Sequence, residues 1–133
     1  MKKQIITIKV AGFVTGFFSL FHLLFYWLLN WKDALRCLDA DNWAIFHAFN
    51  FGMNMMFIMF TIVSLFMTKK LLTESIGNVM LIFMSSIFVM RIVCEFVLWK
   101  LTAVQSPVII VLCLIPAVLF VLPLFSNHKN IAS

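Results

Sequence analysis

Four long apolar runs, separated by short polar connections, constrain this chain more than any other feature. A hydrocarbon core about 30 Å thick takes roughly 20 apolar residues of helix to cross. The runs 8–29, 43–67, 76–99 and 107–125 each meet that requirement. Backbone groups in lipid must be satisfied internally, which leaves helices or a closed barrel. Four segments are too few for a barrel, and none shows the period-two alternation of a barrel strand. Connections this short place neighbouring helices antiparallel. The sequence therefore predicts an all-α membrane protein, a four-transmembrane-helix up-down bundle forming a single domain over residues 1–133.

Composition agrees with this reading. Hydrophobic residues make up 64% of the chain and charged residues 11%, against about half and a quarter in soluble domains. Such a chain cannot cover its surface with polar groups, so the lipid bilayer is its first partner. The net charge of +5 does not point to nucleic acid, because the basic residues cluster at the ends of the apolar runs and not among aromatics in a soluble segment. Cys37, Cys94 and Cys113 are odd in number and widely spaced, which gives neither a disulfide framework nor a zinc site. Met1-Lys2-Lys3 followed by apolar residues resembles a signal peptide, but the run is too long and lacks a small-residue cleavage site, so it reads as a retained span.

Orientation follows from the lysines and arginines. Lys2, Lys3, Lys9, Lys69, Lys70 and Lys129 fall on one side, against Lys32, Arg36 and Lys100 on the other. The positive-inside rule then puts both termini in the cytoplasm. Asp41 or Asn42 is expected to cap the second span, Thr73 or Ser75 the third, and Ser106 the fourth, with Pro107 at its first helical position. Pro116 and Pro123 are expected to bend that last helix. In the first loop Trp31, Ala34, Leu35 and Leu38 share one helical face. A short interfacial helix is expected there between spans 1 and 2, with Trp31 as its anchor.

Polar side chains inside a span are costly, so their positions carry information. Gly12, Thr15, Ser19, His22 and Tyr26 step by three and four along the first span. Trp43, His47, Asn50, Asn54, Phe57, Thr61 and Ser64 do the same along the second. These are the seams of packed helices, with Phe, Leu, Ile and Met expected to face lipid. Gly12-x-x-x-Gly16 is a close-approach motif that serves either the bundle or a homodimer. The third span adds Arg91 and Glu95, one turn apart. At 1.5 Å per residue, Glu95 and His47 lie roughly 6 Å below the outer end, His22 roughly 10 Å and Arg91 roughly 12 Å. The fourth span offers only Cys113 near that level and is expected to act as a wall.

His22, Tyr26, His47, Asn50, Asn54, Arg91 and Glu95 are thus the candidate ligand-binding residues, in an outward-facing polar cluster. The leading expectation is a membrane protein that binds or transports a small polar or lipid-like ligand there. One alternative is a structural or accessory subunit whose polar seams only hold the bundle together, or join it to a membrane-protein partner. Another is a redox protein binding a quinone or haem b, with His22 and His47 as axial ligands. Outside that alternative no cofactor, metal site or catalytic residue is expected. The chain lacks a nucleophile elbow, an H-E-x-x-H pair and a phosphate-binding glycine loop. A four-span multidrug exporter would carry a glutamate in its first span, and this one has none.

His22-x-x-x-Tyr26-Trp27 closes the first span, Asn42-Trp43-Ala44-Ile45 opens the second with Asn50 following, and Arg91-x-x-x-Glu95-Phe96 lies in the third. Over about residues 15–99 this pattern resembles small bacterial four-span membrane proteins of unassigned function. The resemblance implies a bacterial inner-membrane location and brings no substrate with it.

Overall fold

The computed structural model describes residues 1–98 and 106–127. Six helices follow one another: α1 (Lys2–Leu28), α2 (Trp31–Ala34), α3 (Ala40–Phe66), α4 (Thr68–Thr73), α5 (Ser75–Val97) and α6 (Ser106–Asn127). Among the described residues, α1, α3, α5 and α6 are each long and apolar enough to cross a membrane. The expected end of the third span at Trp99, and Lys100 and Lys129 in the topology count, lie outside the described residues.

The long helices close into a ring, with α1 packed on α3 and α6, and α5 packed on α6. The remaining side, between α3 and α5, is bridged by ring pairs, Phe57 on Phe88 at 5.6 Å and Phe60 on Phe83 at 5.9 Å. Phe18 of α1 touches both Phe57 (5.9 Å) and Phe88 (5.5 Å), and Phe120 of α6 stacks on Phe88 at 6.3 Å. Each long helix thus puts one phenyl ring into a central plug. The expectation that phenylalanines face lipid needs correcting at Phe18, Phe60, Phe88 and Phe120. Helix packing in lipid relies on van der Waals contact, and a stacked or edge-on ring fills a wide gap better than an aliphatic chain. The outer faces behave as expected: Phe13, Phe17, Phe49 and Phe51 are 63–73% exposed.

The seam between α1 and α3 pairs residues in antiparallel register. A Cβ on Gly12 would meet the Ser64 Cβ at 2.8 Å, and one on Gly16 would meet Thr61 at 3.3 Å. Further along, Ser19 Oγ donates to Asn54 Oδ1 at 2.6 Å. His22 Nδ1 then lies 3.2 Å from Asn50 Oδ1, and the Tyr26 and His47 rings are 6.2 Å apart. The glycine motif therefore seats α3 within the bundle.

The ends of the helices explain the turns. Leu29 closes α1, and Asn30 takes a left-handed backbone (φ 46°) while its Nδ2 donates to Asp33 Oδ2 at 2.9 Å. Asparagine tolerates that conformation better than most side chains. The short helix between spans 1 and 2 is present, but its Trp31 is only 6% exposed and packs inward on Phe25, Phe46 and His47. It plugs the bundle end instead of anchoring at the interface.

Asp39 caps α3, with Oδ1 accepting from Asn42 N at 2.8 Å and Oδ2 from Asn42 Nδ2 at 2.9 Å. The cap therefore sits ahead of the expected Asp41 or Asn42, and the helix begins one turn earlier. Those bonds, the backbone one foremost, hold the Asp39 carboxyl below its ordinary range. Neither Thr73 nor Ser75 caps α5, whose N-cap is Glu74 with no side-chain cap bond. Thr73 Oγ1 donates instead to Lys69 O at 3.0 Å, completing α4, a helix the sequence reading did not anticipate. At the α4–α5 corner a Cβ on Gly77 would lie 2.2 Å from the Leu71 carbonyl oxygen, so only glycine fits. Helix α6 runs on through Pro116 and Pro123.

Candidate functional site

At the bundle end opposite the termini the ring opens above the phenyl plug into a cavity of about 270 Å³. Phe18, Phe57 and Phe88 belong to both the plug and the cavity wall. The wall is otherwise Phe21, Phe25, Met53, Ile87, Ile109, Leu112 and Cys113. Among the described residues, the strongly polar members of its wall are His22 from α1 and Arg91 from α5. Cys113 and its neighbours on α6 form the wall expected of the fourth span.

His22 is held by α3. With Nδ1–H donating to Asn50 Oδ1, the neutral ring keeps Nε2 as a hydrogen-bond acceptor. Its flank rests on Phe25 (4.3 Å between centroids) and Phe57 (5.1 Å). Arg91 is held by its own helix, with Nη2 2.6 Å from Glu95 Oε1, one turn on. The distance is that of an ion pair, although Oε1 lies off the hydrogen-bonding direction. The side chains differ in burial: Glu95 is 2% exposed and Arg91 35%.

Glu95 does not line the cavity. Its other oxygen accepts from Ser106 Oγ at 2.5 Å, and Ser106 is fully buried at the start of α6. The carboxylate is thus enclosed between α5 and α6, while Arg91 lines the cavity. Ser106 entered the sequence reading as a helix cap and not as a partner of Glu95. The available signal was chain distance. Glu95 lies near the end of one span and Ser106 begins the next, so a connection this short brings them to the same level.

The seven candidate residues therefore divide. His22 and Arg91 meet at the cavity, Asn50 orients His22, and Glu95 pairs with Arg91. Asn54 is 3% exposed and bonded to Ser19, serving the α1–α3 seam. Tyr26 and His47 form a separate cluster nearer the end of the bundle. There the His47 ring lies 4.1 Å from Trp43 and 5.5 Å from Trp31, and its Nε2 finds no hydrogen-bond partner among the described residues. His22 and His47 do not share the cavity.

A cationic donor and an imidazole acceptor, set in a phenyl-lined chamber, can hold the oxygen-bearing end of a largely apolar molecule. The aromatic walls take its body by stacking. No protein-family model, curated protein or solved structure matches the chain.

Proposed function

We propose that the protein is a multi-pass integral membrane protein of the bacterial inner membrane that binds a small lipid-like molecule in this cavity. The ligand class is an apolar body ending in a ring or carboxyl group with acceptor oxygens, as in quinones and short fatty acids. Arg91 donates to the acceptor oxygen, and His22 Nε2 accepts a hydrogen bond from a ligand hydroxyl where the ligand carries one. The observation that carries the reading is the pairing of His22 and Arg91 as the strongly polar members of a phenyl- and aliphatic-lined wall. Ionisable groups within membrane spans are costly to keep, and these two share one largely apolar wall. The lysine asymmetry and the resemblance to bacterial four-span proteins support the location, with both termini cytoplasmic and the cavity toward the outer leaflet.

The test is a thermal-shift titration of the purified chain in detergent with a short-chain quinone and with octanoate. Stabilisation by one of them is expected, reduced at least about tenfold in apparent affinity by His22→Phe. No stabilisation by either compound would overturn the reading.

A second reading is supported by the bonds His22–Asn50 and Ser19–Asn54, which tie α1 to α3 whatever the cavity does. On that reading the protein is a structural or accessory subunit. Replacing the charge pair by Arg91→Leu with Glu95→Leu should then leave both stability and complementation of a deletion strain intact. On the ligand reading the double variant folds and fails to complement.

A further inference from the structure

A second concavity lies at the opposite end of the bundle, beside the N-terminus. It has a volume of about 460 Å³ and is lined by Ile5 and Lys9 of α1, Leu65 and Phe66 at the end of α3, the linking Met67, and Thr68, Lys69 and Lys70 of α4. Three lysines from two helices thus line one recess, with no acidic residue beside them among the described residues. None of the three lysines forms an ion pair among the described residues, where the ion pairs are Arg36–Asp33 and Arg91–Glu95. The Thr68 hydroxyl is already spent on the Ser64 carbonyl. The recess therefore presents positive charge with no counter-charge among the described residues.

Its other surface is apolar. Phe66 is 81% exposed and Met67 42%, continuing the lipid-facing side of α3 and α1. Positive charge at the end of the spans, directly above exposed apolar side chains, matches the two parts of one molecule. We propose that this recess binds the head group of an anionic phospholipid. The phosphate sits among Lys9, Lys69 and Lys70, and the acyl chains lie along Phe66 and Ile5. Basic pockets between membrane helices favour anionic head groups for this reason, and a lysine stem can lie along an acyl chain while its ammonium reaches the phosphate. The short helix α4 gives the recess its shape. It carries Lys69 and Lys70 directly after the end of α3, on the same recess as Lys9. The proposal rests on membrane insertion and is independent of the ligand proposed for the His22–Arg91 cavity.

Native mass spectrometry of the full chain, released from detergent containing equal phosphatidylglycerol and phosphatidylcholine, tests it. One retained phosphatidylglycerol is expected, preferred about tenfold or more. The Lys9→Gln/Lys69→Gln/Lys70→Gln variant should lose that preference. A control removing the same charge elsewhere, Lys2→Gln/Lys3→Gln/Lys32→Gln, should keep it. Millimolar inorganic phosphate should not displace the lipid. Equal retention of the two lipids would overturn the proposal, as would an undiminished preference in the first variant or an equal loss in the control. Displacement by phosphate would assign the recess to a free anion and overturn the lipid assignment. All three lysines are exposed, and the single variant Lys9→Gln, expected to weaken the preference, guards against misfolding of the triple one. A quinone or octanoate shift measured on the same samples reports separately on the other cavity.

Discussion

Glu95 shows how much depends on what a buried charge touches. Its carboxylate is enclosed, with Arg91 on one oxygen and Ser106 on the other. A charge taken out of water is tolerated only when paired and hydrogen-bonded. Removing one partner of a buried pair costs on the order of 3–5 kcal/mol, because the other charge is left uncompensated. Arg91 is less enclosed than Glu95 and its long side chain can snorkel toward the interface, so Glu95→Gln should fall near the low end, about 3 kcal/mol. Ser106→Ala leaves the ion pair but strips a charge-assisted hydrogen bond, for a loss of about 1.5–3 kcal/mol. Chemical or thermal unfolding in detergent measures both. If Ser106→Ala unfolds with wild-type stability, Glu95 does not depend on α6. The Arg91–Glu95 pair was legible in the sequence from its one-turn spacing. Ser106 was not legible as a partner, because a serine beside a proline at a helix start is fully explained by capping chemistry.

At the scale of the element, the α1–α3 seam was the most legible part of the molecule. A three-four spacing of small and polar residues on two consecutive spans needs no tertiary information, since lipid offers those side chains nothing else to face. The structure pairs them rung by rung, from Gly12 with Ser64 to Tyr26 with His47. What the sequence hid was the aromatic plug, because a phenylalanine suits lipid and core equally and only the neighbouring helices decide. The seam makes a sharp expectation. An added Cβ at Gly12 meets the Ser64 Cβ at 2.8 Å, and that atom is fixed to the α3 backbone. Gly12→Ala should therefore push the helices apart and cost about 1–3 kcal/mol, partly offset by about 1 kcal/mol of helix propensity. Gly52→Ala meets nothing within 4 Å and should be neutral or stabilising by up to about 1 kcal/mol. Equal melting temperatures for the two variants would mean that α1 and α3 are not in this contact. The start of α3 gives a pH expectation. Asp39 has its pKa lowered in the fold, so its contribution is present above its ordinary 3.8 and is lost as pH falls through the lowered folded value. Protection of the Asn42 amide, measured relative to its intrinsic exchange rate, should fall below about pH 3.8. In Asp39→Asn the cap is retained without a titrating group, and this acid loss of protection should disappear.

For the whole molecule, the question is which way the bundle stands in the bilayer, since that decides which leaflet each recess meets. The proposed topology has the termini and the Lys9–Lys69–Lys70 recess on the cytoplasmic side, with the His22–Arg91 cavity opening toward the outer leaflet. Two basic residues in the count, Lys100 and Lys129, lie outside the described residues. Without them the count is still five against two, from Lys2, Lys3, Lys9, Lys69 and Lys70 on one side and Lys32 and Arg36 on the other. The cysteines supply a direct test. Cys37 is exposed in the connection after α2, Cys94 is half-buried within α5 and Cys113 is buried in α6. Cys37 also lies at the end of the bundle away from the N-terminus, two residues before the Asp39 cap of α3. A membrane-impermeant maleimide added to intact spheroplasts should therefore label the chain at Cys37 alone, and Cys37→Ser should abolish labelling. A cysteine introduced by Lys69→Cys in that background should react only after lysis. Labelling of Lys69→Cys in intact spheroplasts, with Cys37 protected until lysis, would invert the bundle. The lysine recess would then face the outer leaflet and the His22–Arg91 cavity the cytoplasmic one, so the same two pockets would draw on opposite pools of lipid.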